Sequence, residues 1–455
     1  MSFRELATLI TFLVGTLTLS SDTEARLLAG AAKESIVPPF PTQMGGFGDR
    51  TATFTGTHDD IFVRALVLDD DLTQLVLIGS DLMAVDAKLV QRVRNQIEKA
   101  TGIPPHHIMI SATHSHSAPS YYQLERQAET ELPLEDFLVE RFVEAALEAY
   151  NRRVPARLGF HAGELTGASR NRQQGNEEVI DTQVGVLRVE EQEGREIIAI
   201  LYNFTAHPVI LGAENLLLSG EYPGTASRAI EQLMGGIAIF TQGATGDVTI
   251  HRSGDPFLEI KRVGRLLAGE VIKSAEFVRN KSEQVPIGAL SKTLQLPPKD
   301  LPSLDDAKRS LDEARATLDR AEKGEASPEI LWELNQKVRF LSATLDQARD
   351  LEEGTLDQPE SYEVEVQVLR IGDLIIVALP GEVFVEYALE MRSRVRQMTG
   401  MDMCFVGFAN GYIGYVVTPR GMETGGYEAS VTRLGAFAGR QMIETAMTLF
   451  RDLVN

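Results

Sequence analysis

The chain has 455 residues, 43% of them hydrophobic and 24% charged, with a formal net charge of −21 and a single cysteine, Cys404. That length and composition suit a soluble globular protein with a large core. The charge repels phosphate backbones, so no nucleic-acid partner is expected, and it gives no attraction to an anionic membrane; one cysteine excludes an intrachain disulfide and any cysteine-rich metal site.

Residues 1–25 read as a signal peptide, with Arg4 in the leading segment, a mostly apolar run from Leu6 to Leu19 and Thr23-Glu24-Ala25 before a cleavage point. This predicts export to the periplasm or the medium; a packed amphipathic N-terminal helix in a cytoplasmic protein is the competing reading. The run is too short for a membrane span and no later stretch qualifies, so no integral membrane segment is expected. Arg26 to Ile36 reads as a strand. The loop Met44-Gly45-Gly46-Phe47-Gly48-Asp49-Arg50 follows, and its glycines permit close backbone approach or positive φ. Ile61 to Leu68 and Leu75 to Ile78 read as a hairpin turned at Asp69-Asp70-Asp71, and Ala87 to Ala100 as a helix ended by Gly102.

Ile108-Met109-Ile110 reads as the end of a buried strand that runs into Ser111-Ala112-Thr113-His114-Ser115-His116. Imidazoles at i and i+2 of an extended chain share one side, and neutral imidazole is the commonest protein metal ligand. A helix is expected over Glu135 to Asn151. Strands are expected over Leu158 to Leu165, Val184 to Val189 and Glu196 to Tyr202, the last running into Ala206-His207-Pro208. A helix over Ala226 to Met234, a strand over Gly236 to Phe240, the turn Gly246-Asp247-Val248-Thr249 and a helix over Phe257 to Arg279 come next.

From Leu304 to Ala321, and again from Leu331 to Ala348, apolar residues step by three and four, with Ser327-Pro328 opening the second run. This predicts an antiparallel helical hairpin with a coiled-coil-like seam, either a structural arm or an interaction arm. Strands at Val364 to Leu369 and Leu374 to Ala378 lead to Pro380-Gly381-Glu382 and a helix over Val383 to Met398. The strand Cys404 to Phe408 leads to the loop Asn410-Gly411-Tyr412-Ile413-Gly414-Tyr415, then to Tyr427-Glu428 and a last helix over Thr432 to Leu453. Polar candidates thus recur where strands end. Taken singly, His207 suits a strand cap, Glu382 a helix cap, and the two tyrosines simple packing.

The stretches GAAKESIVPP, QMGGFG, HDDIFVRALVL, SATHSHSAP, NFTAHPV, TGDVT, LPGE and ANGYIGYVVTPRGMETGGYE resemble, in order, the catalytic N-terminal domain of the neutral/alkaline (non-lysosomal) ceramidase family. The resemblance implies zinc held by His114, His207, Glu382 and Tyr415. It places His116 beside the metal as proton carrier and Tyr427 as donor to the oxyanion. It places Arg172 at the substrate, with Arg170 competing for that place. Thr249 occupies the position where the family often carries serine; it lacks an evident base, so a water activated by zinc is favoured over a covalent route. Asp81, Asp247 and Asp59 are candidates to orient a ligand histidine.

The expected fold is α/β: one large mixed-sheet catalytic domain formed by 26–300 and 357–455, interrupted by the helical hairpin at 301–356. The C-terminal immunoglobulin-like domain of long family members has no room, which predicts a short form. The implied activity is hydrolysis of the N-acyl amide of ceramide or a related N-acyl lipid. A different N-acyl or ester substrate and a non-catalytic binding module are the alternatives. No oligomeric state is readable.

Overall fold

A computed structural model describes residues 27–455, apart from 48, 49, 51, 121–131, 174, 280, 327 and 357. The signal-peptide segment, Gly48 and Asp49 of the glycine loop and the Ser327 cap lie outside the described residues.

Two sheets stack face to face with helices on their outer sides. The larger is an eight-stranded mixed sheet. Its spatial order is Ile237–Gln242, Ile197–Phe204, Gln183–Glu191, Val154–Glu164, Leu28–Ser35, Phe62–Asp69, Gln74–Ser80, Ile108–Ala112. The smaller has four strands, Ile287–Leu296, Tyr362–Ile371, Leu374–Ala378 and Asp402–Val406. Alternation along a strand explains the layering. In Phe62–Asp69, Val63, Ala65 and Val67 face the helices Ala87–Thr101 and Leu132–Asn151. Leu66 and Leu68 of the same strand face the smaller sheet, meeting the cluster that holds Leu369, Ile376 and Val406. A strand buried on both faces has no polar side to show, hence the unbroken apolar runs in the sequence. The smaller sheet is covered outside by Val385–Thr399 and Ala438–Val454. The helices Glu221–Met234 and Pro256–Phe277 cover the other end of the larger sheet.

The Asp69–Asp71 turn joins an antiparallel hairpin, and Gly102 ends its helix with φ +80°. The helical hairpin consists of Leu304–Lys323 and Pro328–Glu352, with Ala307, Leu311, Ala314 and Ala348 buried. Two departures from the sequence expectation lie near the hairpin. Ile287–Leu296, read as no element, pairs along its whole length with Tyr362–Ile371. It is an edge strand whose middle, Ser291-Lys292-Thr293, is polar and partly exposed, so no apolar run marks it. The last helix starts at Ala438 rather than Thr432, behind a separate short helix Tyr427–Val431. Between them the chain is drawn out against the Pro298–Lys299 segment: Leu434 bridges Pro298, and Lys299 N donates to Arg433 O at 2.8 Å. Among the described residues no helix is long and apolar enough to cross a membrane.

Candidate metal centre

Parallel strand neighbours bring their C-terminal ends to one place, which is where open α/β sheets put their working groups. Ile108–Ala112 runs parallel to Gln74–Ser80, Ile197–Phe204 to Ile237–Gln242, and Leu374–Ala378 to Asp402–Val406. The loops after these strands deliver His114, His207, Glu382 and Tyr415. Glu382 and Tyr415 are direct partners in a short parallel pair, Glu382–Val383 with Tyr415–Val416. Gly246 lets the third loop in: a Cβ there would lie 2.5 Å from the Glu382 carbonyl oxygen.

One ligand atom each of His114, His207 and Glu382 lies within 4.8 Å of the others, and the three residues are 2%, 1% and 3% exposed. His114 adopts φ +67° and stacks on Phe408 with ring centroids 4.1 Å apart. Its Nδ1–H donates to Met83 O at 2.8 Å, and His207 Nδ1–H donates to Val248 O at 3.1 Å. A neutral ring that donates from Nδ1 carries its lone pair on Nε2. Both Nε2 atoms point at one carboxylate oxygen. His207 Nε2 lies 2.9 Å and His114 Nε2 3.6 Å from Glu382 Oε2, while His116 Nε2 lies 3.1 Å from His114 Nε2. Burial pushes His114 down to about 4 and holds His116 well below the ordinary imidazole value. Burial by itself would raise Glu382, but the imidazoles of His114 and His207 and the Tyr412 phenol hold it ionised, below the usual carboxylate range. Two imidazole nitrogens and a carboxylate oxygen brought this close in the interior form a donor set that fits a divalent ion. Two imidazoles, a carboxylate and a phenol suit zinc with a position left for water.

Tyr415 joins the cluster through its hydroxyl, which accepts from Arg172 Nη2 at 3.1 Å. Burial and the Glu382 charge raise this phenol well above its ordinary value. Arg172 also pairs through Nε with Glu428 at 2.6 Å, and donates from Nη2 to Gly246 O at 2.8 Å. Arg170 instead lies on the exposed side of its strand, so the structure brings Arg172 to the cluster. The Tyr427 ring, 61% exposed, meets the Tyr415 ring edge-on at 5.8 Å. Thr249 is buried in Val248–Ile250, bridged through backbone to His207 and paired with Arg170. Among the described residues no imidazole or carboxylate is hydrogen-bonded to its hydroxyl.

His116 is wedged from outside by the glycine loop. Gly46, at φ +95°, would place a Cβ 2.3 Å from the His116 ring, so no side chain fits there. Phe47 sits edge-on to the same ring at 4.9 Å, and Arg50 donates to the carbonyls of Gly45 and His116.

None of the three aspartates turns a ligand histidine. Asp81 pairs with Arg64, Asp59 with Ser219 and Arg228, and Asp247 accepts from Val385 N and Asn171. Backbone carbonyls have taken that duty. The sequence reading also missed Tyr412, whose hydroxyl donates to Glu382 Oε1 at 2.5 Å, and Glu428, which holds Arg172.

The depressed imidazoles have a consequence for pH. A histidine whose folded value lies below its unfolded one adds stability above the unfolded value, lost as pH falls towards the folded value. With His114 at about 4 against an ordinary imidazole value of 6.5, the metal-free protein is expected to lose roughly 2 kcal/mol from this ring between pH 7 and pH 5. Urea midpoints at the two pH values, compared with those of His114→Ala, check it.

The profile of the family described as "Neutral/alkaline non-lysosomal ceramidase, N-terminal" matches residues 28–256 and 346–444. A neutral ceramidase of Mycobacterium tuberculosis is 23% identical over 89% of this chain and 74% of its own length. A neutral ceramidase of Pseudomonas aeruginosa is 24% identical over 86% of this chain and 67% of its own. The crystal structure of neutral ceramidase from Pseudomonas aeruginosa superposes with a TM-score of 0.73 at 20% identity, covering 93% of this chain and 74% of that one, and so shares the fold.

Proposed function

The chain belongs to the neutral/alkaline non-lysosomal ceramidase family, and from that premise we propose that it is a zinc-dependent amidohydrolase that cleaves the N-acyl amide of ceramide or a closely related N-acyl lipid. The buried convergence of His114, His207 and Glu382 carries this reading, because it provides the ligand set a hydrolytic zinc needs. In the proposal Tyr415 is the fourth protein ligand. When bound, zinc supplies Lewis acidity, polarising the amide carbonyl and bringing the pKa of water down to ~7.

The remaining steps fall to the chain's own groups. The Tyr427 hydroxyl donates to the carbonyl oxygen as it gains charge, a contact typically worth about 3 kcal/mol in the transition state. His116, neutral and with Nε2 facing the cluster, takes the proton from the attacking water and returns it to the departing amine nitrogen. Arg172, kept cationic by Tyr415 and Glu428 despite its burial, fixes the Tyr415 phenol and faces the substrate. Thr249 stays outside the chemistry, since no base activates it. Tyr427 and Val431, four apart on one short helix, and Phe437 shortly after it are exposed apolar side chains that suit an acyl-chain substrate.

A hydrolysis screen tests this. Ceramides, N-acyl sugars, N-acyl aminolipids and the matching esters are incubated with protein as purified, after chelation and after zinc is restored. The expected result is ceramide hydrolysis that disappears on chelation and returns with zinc. Turnover confined to another substrate would keep the chemistry and replace the lipid. Zinc-loaded protein inert to the whole panel would make the chain a binding module.

A further inference from the structure

The five-residue helix Tyr427–Val431 presents two groups of the site, yet it is far too short to hold its own shape. It follows two consecutive glycines at positive φ, Gly425 at φ +80° and Gly426 at φ +96°. On its inner side it is tied to the site. Glu428 pairs with Arg172 and accepts from Gln173 Nε2 at 2.6 Å, and Thr432 Oγ1 donates to Tyr415 O at 2.7 Å.

Its other ties come from outside the site. A helix this short leaves its last carbonyls without intrahelical partners. Two of them are met by side chains from elsewhere: Gln347 Nε2 donates to Ser430 O at 3.0 Å, and Lys299 Nζ donates to Ala429 O at 2.8 Å. Gln347 belongs to the second hairpin helix, Pro328–Glu352. From the same helix the Phe340 ring comes against Gly425, 3.7 Å from where a Cβ would stand, and Lys299 Nζ lies 5.4 Å from the centre of that ring. Gln358 Nε2 in turn holds Lys299 O at 2.8 Å. Lys299, Phe340 and the whole first hairpin helix fall in the stretch 257–345 that the family profile leaves unmatched.

We propose that the helical hairpin, together with Lys299, is a brace for the active site: Gln347, Phe340 and Lys299 are positioning residues that hold the Tyr427–Val431 helix in place. Through that helix they set the Tyr427 hydroxyl and, by way of Glu428, the Arg172 guanidinium. Gln347, Phe340 and Lys299 then support the site from outside it, and the hairpin is not merely an appended arm. The catalytic half of this inference rests on the function proposed above.

The test is Gln347→Glu, which keeps size and shape but sets an acceptor against the Ser430 carbonyl, with Gln347→Lys restoring a donor. Phe340→Ala is a second variant, and Lys323→Ala at the exposed hairpin tip is the control. Hydrogen exchange of the 425–434 peptide is read beside kcat, KM and bound metal. For Gln347→Glu the expected result is faster exchange in that peptide, kcat lower by about fivefold with KM and metal content little changed, and recovery with Gln347→Lys. Lys323→Ala should match the parent. Unchanged exchange in both Gln347→Glu and Phe340→Ala would overturn the brace, as would faster exchange with unchanged kcat. A parent protein that hydrolyses no N-acyl substrate indicts the proposed function instead, and the exchange arm still decides whether the helix is braced.

Discussion

His114→Ala is expected to abolish stoichiometric divalent-metal binding and to lower N-acyl amide hydrolysis by well over ~100-fold, the ceiling for losing only an outer partner of a metal ligand. The ring does three things at once. Its Nδ1–H fills Met83 O, its face lies on Phe408, and its Nε2 points at the Glu382 carboxylate beside His207. Alanine leaves Glu382 facing one imidazole, so the donor set for the ion is incomplete. The Met83 carbonyl loses its partner in the interior, which costs about 1–3 kcal/mol, so the variant should remain folded at room temperature. His116→Ala separates ligand from proton carrier: it should keep the metal and lose turnover. Equal metal loss in both variants would make His116 a ligand as well.

Asp81→Ala is expected to destabilise the fold by about 3 kcal/mol while leaving metal content unchanged. Arg64 and Asp81 are 2% and 1% exposed, joined by Arg64 Nη1 donating to Asp81 Oδ2 at 2.8 Å, and the same oxygen accepts from Phe62 N at 2.9 Å. Removing the carboxylate strands a buried guanidinium, a change that costs 3–5 kcal/mol in typical cases. Glu231, 3.7 Å from Arg64 Nε, keeps the loss near the lower end. A denaturant midpoint that falls with unchanged m would record it. Loss of metal in folded Asp81→Ala would restore to Asp81 the histidine-orienting role that the Met83 and Val248 carbonyls fill in the structure.

The sequence carried the strands that are buried on both faces and the groups standing at their ends. Phe62–Asp69 and Ile108–Ala112 are apolar throughout or nearly so, and His114 follows the second of them after one threonine. The helical hairpin was legible because its seam repeats for two helices, and Gly102 because a left-handed C-cap favours glycine. The missed parts share a cause: their signal is in tertiary contacts. Ile287–Leu296 is a half-exposed edge whose partner lies beyond the hairpin. Tyr412 and Tyr415 share one loop, and nothing in its pattern tells which phenol donates to Glu382 Oε1. The orienting acceptors of both ligand histidines are main-chain carbonyls, which every residue possesses, so no residue type marks them in the sequence. The break between Val431 and Ala438 comes from pairing with Pro298–Lys299, more than a hundred residues away.

The most direct measurement is elemental analysis of the purified full-length protein, after exhaustive dialysis, beside His114→Ala. About one zinc ion per chain is expected in the parent, with the variant essentially empty. A parent that hydrolyses N-acyl substrate at full rate with no bound divalent ion, or a His114→Ala protein that retains its zinc, would contradict the account.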